Sequence, residues 1–365
     1  MNIKELKLVN FRNYEFFLQQ FESNSIHCLY GKNAQGKTNL IESIYYLSHL
    51  RSFRTHQFKR LIRQGQETMS IQADVETRGR SCQIRVAAVD QKKHLYYFQN
   101  PIHKYSDFVG IVNAVLFCPD DLMLFNQSPR YRRHFVDMEL IKLSKTYTMT
   151  MSHYQNLLHR RNAALKQDPP DRLLIETFTE PMIKDEVIIM KQRAAFIERW
   201  MQKVHEIYPF FSDREEIFDA KYRTFVKEIK DPESELKKIY EQSYEKDCRY
   251  RQTQYGVHKD DFLFLLNGEP LQETASQGQK RSCLLALKLG LAEIIHEQTG
   301  EYPILLLDDV FSELDDHRKR QLAECLPSEM QIFITTTEPV DPAWFAGRHV
   351  HTYEVEHGSL KEVHV

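Results

Sequence analysis

Eight consecutive residues, Gly31-Lys32-Asn33-Ala34-Gln35-Gly36-Lys37-Thr38, fit the pattern GxxxxGK[ST] in full. The chemistry explains the pattern. Glycines let backbone N–H groups wrap a polyphosphate, an amine reaches its β and γ oxygens, and a hydroxyl ligates Mg²⁺. Lys37 supplies the amine and Thr38 the hydroxyl. The apolar run Ile26 to Tyr30 leads into the loop, and Leu40, Ile41, Ile44, Tyr45 and Leu47 follow at helical spacing. The loop is therefore expected between a strand and a helix from about Lys37 to Leu50, whose N-terminus adds its dipole. A chance match in a chain of this length has odds of roughly one in a hundred.

A second group of residues stands near the other end. Tyr302-Pro303-Ile304-Leu305-Leu306-Leu307 reads as a buried central strand of a parallel sheet, and it finishes in Asp308-Asp309. Two carboxylates at the end of a buried strand are costly unless they are used. Asp308 is assigned to the Mg²⁺ shell and Asp309 to the attacking water. A plain strand-end turn is the bland alternative. One helix earlier, Ser276-Gln277-Gly278-Gln279 opens an amphipathic helix through Leu284, Leu287, Leu291 and Ile295. Small polar residues and a glycine at a helix start make a second anion site. Alone, such a tetrapeptide is more often a solvated cap, and its place before the acidic strand reverses that preference.

These elements sit in a chain of 365 residues with 49 Lys+Arg, 51 Asp+Glu, a net charge of −2 and 42% apolar residues. That apolar fraction excludes a disordered chain, and the charge excludes a uniformly basic nucleic-acid binder. A polyanion site must be a local patch. Arg51, Arg54, Lys59, Arg60 and Arg63 offer one, with no acid between them and with Phe53 and Phe58 interleaved. Contact with a DNA backbone and incidental stacking is one reading, a solvated face the other. Arg130, Arg132 and Arg133, then His159, Arg160 and Arg161, are further candidates for the same basic face. No apolar run is long enough to span a membrane and no secretory core opens the chain. Six scattered cysteines without CxxC spacing read as reduced thiols of a cytosolic protein.

Strand-type alternation dominates from Asn2 to Glu76, with a hairpin expected at Thr77-Arg78-Gly79-Arg80. Between Leu122 and Tyr250 apolar residues recur at helical spacing, for example Ile183, Val187, Ile188, Met190, Phe196, Ile197 and Trp200. Breaks fall at Pro169-Pro170-Asp171 and again from Pro209. The expected architecture is α/β: a P-loop ATPase head split in sequence into residues 1–122 and 253–365, with a mostly helical domain, 123–252, inserted.

The order of phosphate loop, Ser276-Gln277-Gly278-Gln279, acidic strand and Ser312-Glu313-Leu314-Asp315 resembles ATP-binding-cassette heads of the structural-maintenance-of-chromosomes type. Within that group the chain resembles the RecF family of bacterial recombination and repair proteins. Asn10-Phe11-Arg12-Asn13-Tyr14, Arg51-Ser52-Phe53-Arg54, Phe117 to Leu122, Arg161-Asn162 and Gly256 to Asp261 carry the same likeness. The resemblance implies ATP and Mg²⁺ as cofactors and an ATP-dependent homodimer in which Ser276 to Gln279 of one head completes the partner's nucleotide site. It further implies a loop from Ser312 to Asp315 across that interface and a nucleotide contact from Arg12. Binding of single-stranded and gapped DNA, an SOS-linked repair role, RecO-like and RecR-like partners and a nucleoid-associated place in the cytoplasm belong to the same implication.

The chain departs from the family at three points. The usual GPHRDD run is Gly256-Val257-His258-Lys259-Asp260-Asp261, and the strand Gln331 to Ile334 ends in Thr335-Thr336-Thr337 without a γ-phosphate-sensing histidine. Asp309 stands where many relatives carry the longer Glu, so slow, switch-like hydrolysis is expected. An ATP-dependent assembly scaffold with little DNA affinity is the alternative. A metabolic P-loop kinase would have no use for the Ser276–Gln279 and Ser312–Asp315 segments.

Overall fold

The computed structural model describes residues 1–90, 92–212, 215–229, 231–345 and 347–363. The chain divides into two compact units: Met1–Asp121 with Ile207–Asp213 and Arg281–Val365, and Leu122–Glu206 with Arg214–Lys280.

The first unit begins with strands β1 (Asn2–Phe11), β2 (Tyr14–Gln20) and β3 (Ile26–Tyr30), helix α1 (Lys37–His49), and strands β4 (Met69–Thr77), β5 (Arg80–Val89), β6 (Lys92–Tyr97) and β7 (Asn100–Ile102). Short helix α2 (Tyr105–Phe108) and strand β8 (Ala114–Phe117) follow. Along β4 every second residue is buried, so Met69, Ile71, Ala73 and Val75 share one face. Its two-residue turn to β5, Arg78-Gly79, takes positive φ at both positions, the geometry that matches strand twist.

The second unit holds α3 (Met123–Asn126), α4 (Pro129–Leu143), α5 (Lys145–Ala164), α6 (Arg172–Ile207), β9 (Phe218–Arg223), α7 (Glu233–Tyr250), β10 (Asp261–Leu266), β11 (Glu269–Pro270) and α8 (Leu271–Thr274). The remaining elements are α9 (Gln277–Thr299), β12 (Ile304–Asp308), α10 (Val310–Glu313), α11 (Asp316–Cys325), β13 (Ile332–Thr336), β14 (Val350–Glu356) and β15 (Ser359–Val363). Two expectations change here. The second unit extends to Lys280, beyond residue 252, and it carries a three-stranded sheet ordered β11-β10-β9. Phe218 and Ala220 are buried on one face of β9 while Lys221 is exposed, a period of two hidden in a charged context. Ile188 is exposed and Ile189 takes the buried position instead.

In the first unit an antiparallel sheet runs β2-β1-β4-β5-β6-β7 and a mixed sheet runs β15-β14-β3-β13-β12-β8. In the mixed sheet β14, β3, β13, β12 and β8 are parallel, with β15 antiparallel on the edge. Helix α1 is buried on almost every side: Leu40, Ile41, Ile44 and Leu47 join one core with Leu6, Leu8 and Phe11 of the antiparallel sheet and Leu306 and Phe333 of the parallel one. Each such side chain contributes about 1.5–3 kcal/mol by leaving water. That packing fixes the end of β3, and hence the loop after it. The carboxyl ends of β3, β13 and β12 lie side by side, the usual place for a ligand in an open parallel sheet. Among the described residues no helix is long and apolar enough to cross a membrane.

Candidate functional site

The loop Gly31 to Thr38 leaves β3 and enters α1 through three residues of positive φ, Gly31 (144°), Ala34 (66°) and Gly36 (119°). Two of these positions admit glycine alone. A Cβ at Gly31 would lie 2.7 Å from the Val355 carbonyl oxygen, and one at Gly36 would lie 2.7 Å from Asn13 Nδ2. The outer flank is held from two sides. Gly358 N–H and Asn13 Nδ2 donate to the Gln35 carbonyl at 3.0 and 3.1 Å, and His357 N–H donates to Gln35 Oε1 at 2.8 Å. Lys32, Asn33 and Ala34 stay exposed at the tip.

Lys37 is buried at the start of α1, and its Nζ donates to the carbonyls of Gly31 and Lys32. Burial lowers its pKa against the pull of Asp309 and Asp308. Thr38 Oγ1 donates to Asp308 Oδ1 at 2.9 Å, joining residues 270 positions apart. Burial raises the Asp308 pKa against its hydrogen bonds from Thr335 and Thr38. Thr335 is a site residue that motif reading missed. Its hydroxyl donates to Asp308 Oδ1 at 2.7 Å and accepts from Asp309 N–H at 3.0 Å. Asp309 takes the left-handed conformation at φ 53°, and its Oδ1 is buried without a hydrogen-bond partner. A hydroxyl, a carboxylate and an orphaned carboxylate oxygen form a donor set of hard oxygens, suited to Mg²⁺.

Arg12 is engaged with protein groups. Its Nε and Nη2 reach Glu42 Oε2 and Oε1 at 2.8 and 2.6 Å, and its Nη1 donates to the Arg60 carbonyl at 2.8 Å. Glu42, on α1, is wholly buried and also accepts from Ser52 Oγ. Arg54 belongs to this cluster: its Nη1 donates to Asn39 Oδ1 at 2.7 Å, and Asn39 Nδ2 donates to Asn13 Oδ1 at 2.7 Å. A continuous polar chain thus links the phosphate loop, through Asn13, Asn39, Arg54 and Glu42, to Arg12. Glu42 and Asn39 carry no motif of their own.

The basic strip splits in two. Arg51, Arg54, Lys59 and Arg60 are exposed, with Arg54 also bonded to Asn39 on α1, whereas half-buried Arg63 pairs with Glu15 at 2.9 Å. Phe53 and Phe58 pack against the core, edge-on to Tyr45 and stacked near Tyr46, so they are not free to stack bases. The two further clusters expected on a basic face divide: Arg130, His159 and Arg160 are exposed, whereas their other members are structural. Arg132 forks onto Asp261 with both contacts at 2.8 Å, Arg133 donates to the Asp260 carbonyl, and buried Arg161 pairs with Asp247 at 2.8 Å.

Ser276 to Gln279 belong to the second unit. Ser276 N–H donates to Gln279 Oε1 at 2.7 Å and Gln279 N–H to Ser276 Oγ at 3.2 Å, a reciprocal capping box that starts α9. In the first unit Asp315 caps α11 and pairs with Arg318, which lowers its pKa, and exposed Ser312 donates to the Asp309 carbonyl at 2.6 Å. The side chain of Glu313 lies outside the described set.

The Gly256–Asp261 run organises the second unit's interior. A Cβ at Gly256 would meet Glu186 Oε1 and Tyr154 Oη at 2.7 Å. Val257 N–H donates to Glu186 Oε1 at 3.2 Å, a bond that proline at this position would forfeit. Asp260 meets Arg193 at 3.0 Å and accepts from Tyr222 Oη, while burial pushes its pKa up to about 6. Exposed Lys259 takes the remaining substituted position.

Residues 2–352 match the family model described as RecF/RecN/SMC N terminal domain. The chain is 37% identical to the DNA replication and repair protein RecF of Bacillus pumilus (strain SAFR-032), covering 100% of this chain and 97% of that protein. It is 36% identical to the RecF of Bacillus subtilis (strain 168), over 99% of this chain and 100% of that protein. It matches the solved structure of the recombination mediator protein RecF-ATP in the RecFOR pathway with a TM-score of 0.90 and 30% identity, over 99% and 97% of the two chains. An Smc head domain from Pyrococcus furiosus shares the fold, with a TM-score of 0.58 and 15% identity over 99% and 95%. The chain belongs to the RecF family of DNA replication and repair proteins.

Proposed function

We propose that this protein is an ATP-switched, DNA-binding ATPase of recombinational repair that grips gapped or single-stranded DNA while nucleotide is bound and lets go on slow hydrolysis. The observation that carries this reading is the contact between Thr38 and Asp308, which joins phosphate loop and acidic strand at 2.9 Å. When bound, Mg²⁺ would neutralise charge on the β and γ phosphates. Thr38 and Asp308 would hold it, and Lys37 would leave the Gly31 and Lys32 carbonyls for the phosphate oxygens. Asp309, with its unpartnered buried oxygen, would hold the attacking water. The capped start of α9 at Ser276–Gln279 would face nucleotide on a second copy.

DNA contact falls to exposed Arg51, Lys59 and Arg60 as sequence-independent phosphate binding. The RecFOR pathway of the solved relative extends here to RecO-like and RecR-like partners. The test is fluorescence anisotropy of a gapped duplex with and without ATP·Mg²⁺, across a salt series, with Lys37→Met as control. Tight, salt-sensitive binding that needs ATP and disappears in the control supports the switch. Equal binding under all conditions, or none, overturns it.

A further inference from the structure

The amino-terminal edge of the parallel sheet, opposite the carboxyl ends that carry the phosphate loop, holds a cluster with no part in nucleotide chemistry. His349, just before β14, and His351, its second residue, are two apart in extended chain, so their side chains leave the same face. Glu22, in the connection from β2 to β3, faces them. Its Oε2 lies 2.6 Å from His351 Nε2 and 3.9 Å from His349 Nδ1, and the three ligand atoms fall within 4.8 Å of one another.

The supporting groups have the form of a metal site. His351 Nδ1 lies 2.8 Å from Glu362 Oε1 on β15, which orients the ring, and Nε2, 2.6 Å from Glu22 Oε2, gives up its proton when the metal binds. Both ligand-bearing backbones are pinned. The Glu22 carbonyl accepts from His27 Nε2 and Gln331 Nε2, each at 3.0 Å, and the His349 carbonyl accepts from Ile26 N–H at 2.9 Å. Wholly buried His27 stacks behind His351 at 5.4 Å and limits its rotation.

We propose that Glu22, His349 and His351 bind a divalent transition ion of the zinc class, with water in the fourth position. Two imidazoles and one carboxylate suit Zn²⁺, whose bonds of about 2.0–2.2 Å need only small side-chain adjustments from this geometry. The ion staples the β2–β3 connection to β14, the strand whose far end abuts Gly31.

The test uses the full chain, stripped of metal and free of nucleotide so that phosphates do not compete. Co²⁺ is titrated by visible absorption, then displaced with Zn²⁺ under calorimetry. The expected result is one Co²⁺ with the strong bands of a four-coordinate site, released by one Zn²⁺. His349→Ala and Glu22→Gln, both at exposed positions, should each weaken binding at least about tenfold, and Glu362→Gln about tenfold through His351. His357→Ala, a histidine outside the cluster, should leave it unchanged. Weak six-coordinate bands, or Zn²⁺ binding that persists equally in His349→Ala and Glu22→Gln with circular dichroism unaltered, would overturn the proposal.

Discussion

The Arg12 guanidinium closes a two-point fork on the Glu42 carboxylate, with contacts of 2.8 and 2.6 Å, and Glu42 has no exposed surface. A buried carboxylate deprived of its main cation keeps its desolvation cost, here softened by Ser52 and by Arg54 at 3.8 Å. Arg12→Ala should therefore cost about 2 kcal/mol in urea unfolding without nucleotide. A loss confined to ATP affinity, with unfolding unchanged, would instead make Arg12 a nucleotide contact alone.

That pair also marks the boundary of what the sequence reveals. The phosphate loop and β12 are legible because their chemistry is contiguous, and the sheet then brings Thr38 to Asp308. Glu42 is one letter within the helical stretch Leu40 to Leu47, and its role depends on a turn 30 residues upstream. Arg132, Arg133 and Arg161 count as surface cations until the fold places Asp261, the Asp260 carbonyl and Asp247 against them. Thr335 is hidden for a different reason: it lies at a strand end where a sensing histidine is expected, and it serves Asp308 and Asp309 by a hydroxyl.

The short side chain of Asp309 sets an expectation for rate. Turnover should lie well below the enzyme median of about 10 s⁻¹, and Asp309→Asn should abolish hydrolysis while ATP affinity is kept. Asp309→Glu should raise kcat with little change in KM by moving the carboxylate one methylene toward the water. Steady-state phosphate release reads all three, and an Asp309→Asn variant that hydrolyses normally would remove Asp309 from the chemistry.

The split basic strip makes a graded prediction for DNA. Arg51, Lys59 and Arg60 are exposed, so replacing each with Ala should lower the salt slope of binding by about one. Arg63→Ala should change it less, because that side chain already pairs with Glu15. Anisotropy in ATP·Mg²⁺ at several salt concentrations gives the slopes. Equal slopes in the wild type and a variant with Arg51, Lys59 and Arg60 all replaced by Ala would place the DNA elsewhere.

The buried acid Glu186 gives the second unit a pH-dependent stability. Burial pushes its pKa up to about 8, against hydrogen bonds from Tyr240 Oη at 3.0 Å and Val257 N–H at 3.2 Å. An acid whose folded pKa is raised holds its proton where the unfolded chain has lost it, so stability falls as pH rises up to that value. Two neighbours act at lower pH. Asp260 is pushed up to about 6, and burial lowers His258 to about 4, which makes stability rise with pH up to the ordinary histidine value near 6.5. Between pH 6.5 and 8 Glu186 therefore dominates this group, and the second unit should lose about 2 kcal/mol. Glu186→Gln keeps an acceptor for Tyr240 and Val257 without the charge and should flatten that slope. Buried Trp200 on α6 reports the transition by fluorescence in a Trp344→Phe background. A wild-type slope that survives in Glu186→Gln would assign the proton to another group.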